Sequence, residues 1–390
     1  MTTAISRQTA IIGVGELGIP EGTRNLNYWG LHAQAAKNAI EDAGLTQADI
    51  DGVVVARSGL ANIADFPSAF CQYMGITDFW AEQLPIGGIP MTSVVWRAAF
   101  GIIGGFAKTV LIVVVDNRKS RMEQSGVIHL LPERDMSPEF EYPYGPLMLS
   151  NFALAAQRHM YEFGTTNEQL AGVAVAERKW AALHPNAHKR APIAIEDVLA
   201  SRMITSPLHL LDCCMVSDGG GAAVMVSADR AVKMGKKPVY VLGFGQCGDS
   251  QSVIGMPDLA ESITTKKATK QSLDMAGLKI SDIDIVYPYD PTTFSVIWAL
   301  EGMGFCKVGQ GGRFIRGGDL ISPGGDLPTN THGGLLSYSA PGAPGHFFAV
   351  IEAVRQLRGE CKQRQVEGAK VAMLHGEGGF AQWGITVLGK

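Results

Sequence analysis

The chain has 390 residues, of which 46% are apolar and 18% charged, and its formal net charge is −4. This length exceeds a single typical core and predicts two domains or two fused halves of an ordinary globular protein. The mild charge argues against a nucleic-acid or membrane surface, and no apolar run is long enough to span a bilayer. The six cysteines lack C-x-x-C spacing, so we expect reduced thiols in a cytoplasmic protein and no metal site. The N-terminal residues lead straight into a predicted strand, so no signal peptide is expected.

Strands and helices alternate along the first part of the chain. Residues 9–15 read as a buried strand that ends in a glycine turn. A glycine turn at 87–90 opens a helix over 91–104, and the continuous apolar run at 109–115 is typical of a central strand covered on both faces. Such βαβ units predict a layered α/β sandwich.

A long insertion at about 116–188 interrupts this pattern and resembles a lid or cap more than core sheet. The second part then repeats the order of elements, with a strand at 238–245, a Gly- and Pro-rich turn at 333–345, a helix at about 347–357 and strands at 371–375 and 381–388. We therefore divide the chain into an N-terminal half, residues 1–235, that includes the cap, and a C-terminal half, residues 236–390.

An internal repeat relates the two halves. Residues 35–56 and 268–289 align without gaps and are identical at nine of 22 positions, including Ala-Gly-Leu and Asp-Ile-Asp. Each copy predicts a helix closed by a glycine, a turn with the two aspartates, and an apolar strand. The duplication explains most of the architecture, and it predicts a site where the halves meet.

Together with the duplication, a series of short motifs resembles the thiolase superfamily, and within it the branch of the non-specific lipid-transfer-protein (sterol-carrier) thiolases. The resemblance extends over nearly the whole chain. In chain order, the motifs are Pro207-Leu208, Leu211-Asp212-Cys213-Cys214, Ser217-Asp218-Gly219, Leu300-Glu301, Gly304-Phe305-Cys306, Leu327-Pro328-Thr329-Asn330, Gly333-Gly334-Leu335-Leu336 and the stretch 352–360. The resemblance implies a duplicated, thiolase-like layered α/β sandwich.

The chain departs from the family at its catalytic positions. The turn that carries the family's nucleophilic cysteine aligns with residues 87–90, which contain none. The family's histidine position falls near residues 339–341, without an imidazole, and its second cysteine aligns with His375. Thiolysis through an acyl-cysteine is therefore not expected.

Four turns would line a catalytic site of this fold: residues 87–90, 289–294, 333–345 and 375–379. Retro-aldol cleavage of a β-hydroxyacyl thioester needs a base, donors for the enolate oxygen and an acid, but no covalent nucleophile. Members of this branch that resemble the chain in lacking the cysteine act as aldolases on steroid side-chain CoA thioesters, beside a small partner of OB-fold and zinc-ribbon type. The resemblance nominates Tyr289, Tyr338 and His375 as catalytic. The substrate-binding candidates are Gly87, Gly88, Asp290, Gly333, Gly334 and Gly378.

Each catalytic candidate also has a purely structural interpretation. Tyr289 and His375 follow apolar strands, where a buried hydroxyl or imidazole bonded to backbone is common, and Tyr338 lies in a turn. His332 and His346 flank the glycine turn and are interpreted as structural. A tyrosine can fill the base or acid role if neighbouring donors move its pKa toward neutrality.

The sequence predicts an enzyme that makes or breaks carbon–carbon bonds in acyl-CoA thioesters without an acyl-cysteine, most concretely a retro-aldolase for a steroid or lipid side chain. Two alternatives stay open: an acyltransferase subunit whose cysteine another polypeptide supplies, and a non-catalytic acyl-CoA-binding scaffold. No bound cofactor is expected, since coenzyme A is part of the substrate. The resemblance also implies a homodimer that pairs through the strand at 109–115.

Overall fold

The computed structural model describes residues 5–17, 26–56, 65–84, 90–120, 137, 139–144, 148–250, 253–378 and 382–390. The predicted glycine turn with Gly87 and Gly88 lies outside these residues. Among the described residues, no helix combines the length and the apolar character that a membrane span requires.

Nine strands form one mixed sheet, in the order β3-β2-β4-β7-β1-β8-β11-β10-β9. The strands are β1 (Thr9–Leu17), β2 (Gly52–Ala56), β3 (Trp80–Leu84), β4 (Thr109–Asp116), β7 (Gly219–Ser227), β8 (Val239–Gly248), β9 (Ile285–Tyr287), β10 (Val371–Gly378) and β11 (Gln382–Gly389), and a separate hairpin contains β5 (Met203–Thr205) and β6 (Leu208–His209). The halves join where β1 pairs with β8 through Ala10–Tyr240 and Ile11–Val239. Five strands thus belong to the first half and four to the second.

Helices cover both outer faces of the sheet and fill the space between the halves. They are α1 (Tyr28–Ala43), α2 (Phe66–Met74), α3 (Pro90–Ile103), α4 (Met148–Phe163), α5 (Asn167–Leu183), α6 (Ile195–Ala200), α7 (Ala228–Lys233), α8 (Ile263–Ala276), α9 (Thr293–Met303), α10 (Gly311–Phe314) and α11 (Phe347–Arg358). The central core contains α3 and α11 with strands of both halves. One outer core contains α1 and α2, and the other contains α4, α5, α8 and α9. The layered α/β sandwich is confirmed.

The repeated sequence folds the same way twice. Helices α1 and α8 both end at a glycine in the left-handed region, Gly44 (φ 66°) and Gly277 (φ 69°). The last aspartate of each Asp-Ile-Asp then binds the backbone of the neighbouring strand. Asp51 Oδ1 accepts from Lys108 N (2.8 Å) and Thr109 N (2.7 Å), and Asp284 Oδ2 accepts from Lys370 N (2.7 Å) and Val371 N (2.8 Å).

The described part of the predicted cap is integrated into the second half. Helices α4 and α5 belong to the outer core of that half, and most of α5 is buried. Trp180 on α5 donates from Nε1 to the carbonyl of Ile321 at 2.9 Å. This packing brings α5 against residues 330–338, which form part of the candidate site.

The strand order contradicts the expected pairing of two chains through the strand at 109–115. Strand β4, which contains residues 109–115, pairs with β2 on one side and β7 on the other, so it has no free edge for a partner chain. The exposed edge of the first half is β3. In the second half, β9 is the last strand, but its outer side is covered, since Val286 N donates to Pro328 O and Asn330 N donates to Val286 O, both at 3.1 Å.

Candidate functional site

The parallel strands β9 and β10 place Tyr289 beside His375. Tyr287 at the end of β9 is in register with Leu374 in β10. The residues that follow therefore emerge at the same end of the sheet, and Tyr289 N donates to His375 Nδ1 at 3.3 Å. Two of the three nominated catalytic residues are thus adjacent.

Tyr289 has a buried side chain whose hydroxyl is not bonded to a described residue. The residue is 8% exposed and packs against Leu335 and Ala340, with Cys214 at the margin. Its hydroxyl makes no hydrogen bond within the described part of the chain. Burial raises the pKa of Tyr289 well above its ordinary value, Glu377 adds to the rise, and Arg118 opposes it. At neutral pH Tyr289 is therefore a phenol, with a proton that it can donate.

Both ring nitrogens of His375 face the protein. With Nδ1 accepting from the backbone of Tyr289, the proton lies on Nε2, which is 3.5 Å from Thr265 Oγ1. The imidazole also stacks on Trp383 with 5.2 Å between ring centroids. Burial, with a contribution from His346, lowers the pKa of His375 to about 3, so the ring is neutral. This geometry orients the Tyr289 backbone.

His346 is a neighbour that the sequence analysis interpreted as structural. It directly precedes α11, and its ring meets Tyr289 edge to face at 5.3 Å between centroids. Neither of its nitrogens makes a well-formed hydrogen bond to a described residue. Burial lowers the pKa of His346 to about 3, and this places a second neutral imidazole beside the Tyr289 phenol.

Tyr338 belongs to a different cluster. It ends a π-helical turn, Gly334–Tyr338, and its hydroxyl donates to Glu16 Oε2 at 3.0 Å. The other Glu16 oxygen accepts from Arg355 Nη1 at 2.7 Å. Tyr338 is 1% exposed and packs against His332, His184 and Phe348 in the central core. The Tyr338 hydroxyl is therefore bonded to Glu16 and not to Tyr289.

The environment of Tyr338 also sets its protonation state. Burial and then the Glu16 charge raise the pKa of Tyr338 well above its ordinary value. Burial opposes ionisation of Glu16, but Arg355 holds the pKa of Glu16 below its ordinary value. The shift toward neutrality that a tyrosine base would need is thus not found at Tyr338 or at Tyr289.

The remaining candidates shape the turns around Tyr289. Asp290 is buried and accepts from Leu335 N (2.6 Å) and Leu336 N (3.3 Å), which fixes the start of the π-helical turn. Gly333 and Gly334 have φ of 104° and 64°, in the left-handed region that favours glycine. Gly378 ends β10, opposite Gln382 in β11. The catalytic and binding roles of all these residues stay predictions.

Cysteine chemistry is not supported near Tyr289. Cys214 is the thiol that packs beside it, and burial raises the pKa of Cys214 to about 11. The thiolate is the reactive form, so this residue is a poor nucleophile at neutral pH. Burial likewise raises the pKa of Cys213 to about 12. The described residues also contain no group of three or more side chains able to hold a metal ion.

Arg118 is a site residue that the sequence analysis missed. It follows β4 at the end of the run Asp116-Asn117-Arg118, and its charge lowers the pKa of both Tyr289 and Cys214. A methyl group at Gly342 would lie 3.2 Å from Arg118 Cδ, so the side chain crosses the glycine turn. Its Nε is buried and has no hydrogen-bond partner among the described residues. A polar residue just after a central strand was the signal that could have found it.

Comparison with known proteins extends these observations. Residues 245–390 match the family described as Thiolase C-terminal domain-like. The acetyl-CoA acetyltransferase of Methanothermobacter thermautotrophicus is 33% identical over 96% of this chain and 97% of its own length. The steroid side-chain-cleaving aldolase of Thermomonospora curvata is also 33% identical, over 95% of each chain.

A solved structure described as the Ltp2-ChsH2(DUF35) aldolase superposes with a TM-score of 0.86 at 30% identity, covering 99% of this chain and 98% of that chain. Fold and overall sequence agree across these relatives. The chain belongs to the thiolase superfamily, in the aldolase-related branch that resembles the sterol-carrier thiolases.

Proposed function

We propose that this enzyme cleaves a β-hydroxyacyl-CoA thioester by a retro-aldol reaction, without an acyl-cysteine. The observation that carries the proposal is the phenol of Tyr289. Its hydroxyl has no hydrogen-bond partner among the described residues, and the residue is 8% exposed. Neutral imidazoles and Arg118 lie beside it, while the neighbouring thiols are protonated. The aldolase relative favours a steroid or lipid side chain as the acyl group.

The residues around Tyr289 suit the second stage of this reaction. Loss of the proton from the β-hydroxyl breaks the Cα–Cβ bond, releases a ketone or aldehyde, and moves the electron pair onto the thioester as an enolate. The enolate carbon is far more basic than a phenolate, so Tyr289 can protonate it even though its own pKa is raised, and this proton completes the shorter acyl-CoA at Cα. The Arg118 cation offsets the negative charge that develops on the thioester oxygen.

Tyr338 can serve the first stage only through Glu16. Its pKa is too high for a resting phenolate, but its hydroxyl already donates to a carboxylate. A substrate hydroxyl that reached Tyr338 would lose its proton while the proton of Tyr338 moved to Glu16, a step that the lowered pKa of Glu16 opposes. The base role of Tyr338 therefore stays a prediction, which Tyr338→Phe tests.

The test is incubation of the purified protein with a β-hydroxyacyl-CoA and quantification of the carbonyl product and the shortened acyl-CoA. We expect Tyr289→Phe to lower kcat/KM by about 10²- to 10⁴-fold, the range for losing a proton-transfer group. Cys214→Ala, a neighbour in the same cluster, should retain most of the activity. Full activity in a variant with both Tyr289→Phe and Tyr338→Phe would refute the assignment.

The same assay separates the two rival functions. An acyltransferase subunit would cleave a 3-ketoacyl-CoA only when free coenzyme A is added. Its activity would be lost when the cysteine that the other polypeptide supplies is removed. A scaffold would bind acyl-CoA without turnover of either substrate.

We also propose that the chain acts as a homodimer in the cytoplasm and binds a small partner of OB-fold and zinc-ribbon type. The partner is suggested by the aldolase structure that superposes on this chain, which contains a DUF35 component. Assays should therefore be run with and without such a protein. A light-scattering mass of one chain would contradict the homodimer.

A further inference from the structure

Two buried acidic side chains meet beneath the Tyr289 turn. Glu177 lies on α5, within the predicted cap, and Asp290 directly follows Tyr289 in the second half. Both are buried. Both carboxyl groups contact Gly334, since a methyl group there would overlap Asp290 Oδ2 and Glu177 Oε2. The two carboxyl groups are therefore close neighbours.

Each carboxyl group holds a different part of the site. Asp290 Oδ2 accepts from the backbone of Leu335 and Leu336, at the start of the turn that ends in Tyr338. Glu177 Oε1 accepts from Asn330 Nδ2 at 2.8 Å, and the same amide donates to the carbonyl of Pro288 at 3.1 Å. The pair thus ties α5 to the turns on both sides of Tyr289.

No cation of the described residues forms an ion pair with either carboxyl group. Arg178, the next residue on α5, donates from Nε to Ser337 Oγ and from Nη1 to Ala191 O, both at 2.9 Å. Lys and Arg of the described residues are not among the groups that shift the pKa of either carboxyl. The other titratable groups that face the pair are the Cys214 thiol and the Tyr289 phenol, which are neutral at pH 7.

Two adjacent carboxylates in such a place would repel each other strongly. Glu177 Oε2 and Asp290 Oδ1 also lack a donor in the described part of the chain. Burial raises the pKa of Asp290 to about 6, and burial together with the Asp290 charge raises the pKa of Glu177 well above its ordinary value. Asp290 therefore loses its proton first, and Glu177 keeps the other to higher pH.

We propose that Glu177 and Asp290 share one proton, and that this proton is a positioning device that holds the Tyr289 turn, the Gly334–Tyr338 turn and α5 in the arrangement needed for reaction. Between the two ionisations, Asp290 is the acceptor for the backbone of Leu335 and Leu336, and Glu177 donates to Asp290. Loss of the shared proton leaves two repelling carboxylates and opens the turns. The effect on catalysis rests on the proposed function, whereas the shared proton itself does not.

Thermal unfolding as a function of pH tests the shared proton without any substrate. Because both pKa values are raised in the folded state, the pair favours folding at low pH and loses this contribution as pH rises through the folded pKa of Glu177. Glu177→Gln keeps the acceptor for Asn330 and replaces the shared proton by a fixed N–H donor. We expect its Tm to fall less than that of the wild type between about pH 6 and about pH 9, by about 2 °C or more.

The matched control is Glu168→Gln, the same substitution at an exposed position of the same helix, which should retain the wild-type slope. Asp290→Asn, whose amide donates to Glu177, should flatten the slope in the same way and decides the question if Glu177→Gln does not fold. A wild-type slope in the Asp290→Asn or Glu177→Gln protein would overturn the proposal.

Activity then tests the positioning role. We expect Glu177→Gln to keep kcat/KM within about threefold of the wild type near neutral pH and to move the alkaline limb of its pH profile upward by about one pH unit or more. Glu177→Ala should lose about tenfold or more at every pH. An unchanged alkaline limb in Glu177→Gln would refute positioning by the proton. Absence of turnover in every variant and in the wild type would count against the proposed function, and the unfolding data would still decide on the shared proton.

Discussion

The two halves use the same residues for the same backbone contacts but end their repeated strands differently. Asp51 and Asp284 each accept two backbone N–H groups at the start of a neighbouring strand. The first copy ends in Val55 and Ala56, whereas the aligned positions of the second copy are Pro288 and Tyr289. The residues that the two copies have in common stabilise the fold. The last residue of the second copy, Tyr289, differs and has a side chain that can transfer a proton.

Two glycines at equivalent places in β1 and β8 test whether the helix–strand contacts of the two halves are equivalent, and their substitution should have the largest effect on stability. A methyl group at Gly15 would overlap the backbone of α1 at Ala35, and one at Gly245 would overlap α8 at Ala268, the aligned position of the repeat. We expect Gly15→Ala and Gly245→Ala each to cost about 3 kcal/mol in the free energy of unfolding, measured by chemical denaturation.

Gly30→Ala in α1 is the matched control, because a methyl group there finds its nearest neighbour at 3.4 Å. It should leave stability unchanged or raise it by up to about 1 kcal/mol. Equal effects of Gly15→Ala and Gly245→Ala would mean that the two helix–strand contacts are equivalent. Wild-type stability of either variant would contradict the close packing.

Arg118 tests whether the first half contributes to the chemistry of the second. We expect Arg118→Met to lower kcat/KM by about 10²-fold with little change in Tm, because the cation that opposes the rise in the Tyr289 pKa is lost. Lys119→Met removes a neighbouring exposed charge and should have a small effect. If both variants lost activity equally, the effect would come from overall charge and not from contact with the reacting atoms.

The duplicated aspartates give the smallest and most direct comparison. Asp51→Ala and Asp284→Ala each leave two backbone N–H groups without their acceptor, and we expect each to cost about 1–3 kcal/mol of stability in denaturant titrations. Only Asp284→Ala should also reduce activity, since its strand leads to Tyr289. Loss of activity in Asp51→Ala of the same size would show that the halves are more strongly coupled than their short β1–β8 pairing indicates.

The fold was largely predictable because its determinants are local. The glycine that ends each helix, the Asp-Ile-Asp turn and the apolar strand recur in sequence, and each has the predicted structure. The strands that pair with β4 were harder to predict. Its hydrophobic pattern shows that both faces are buried but does not indicate which strands lie along its edges. Its neighbours β2 and β7 are set by chain topology.

The site was only partly predictable for a related reason. Tyr289 follows β9 and His375 lies in the adjacent parallel strand β10, so their proximity follows from strand order. Tyr338 lies in a turn, where sequence gives no direction for the side chain, and its hydroxyl is bound by Glu16 from the first strand. Glu177 and Arg118 come from segments far away in sequence, and no local pattern connects them to Asp290 or Tyr289.

The covered edge of β9 has a consequence for assembly. Residues 328–330 occupy the place where the first half has β3, so the described sheet offers an open edge at β3 and a closed one at β9. A sheet of this kind can add one copy of itself, edge to edge, and then has no further edge to offer. On the described residues, the loop that closes β9 leaves β3 as the open edge, so strand addition between two copies would stop at a closed pair.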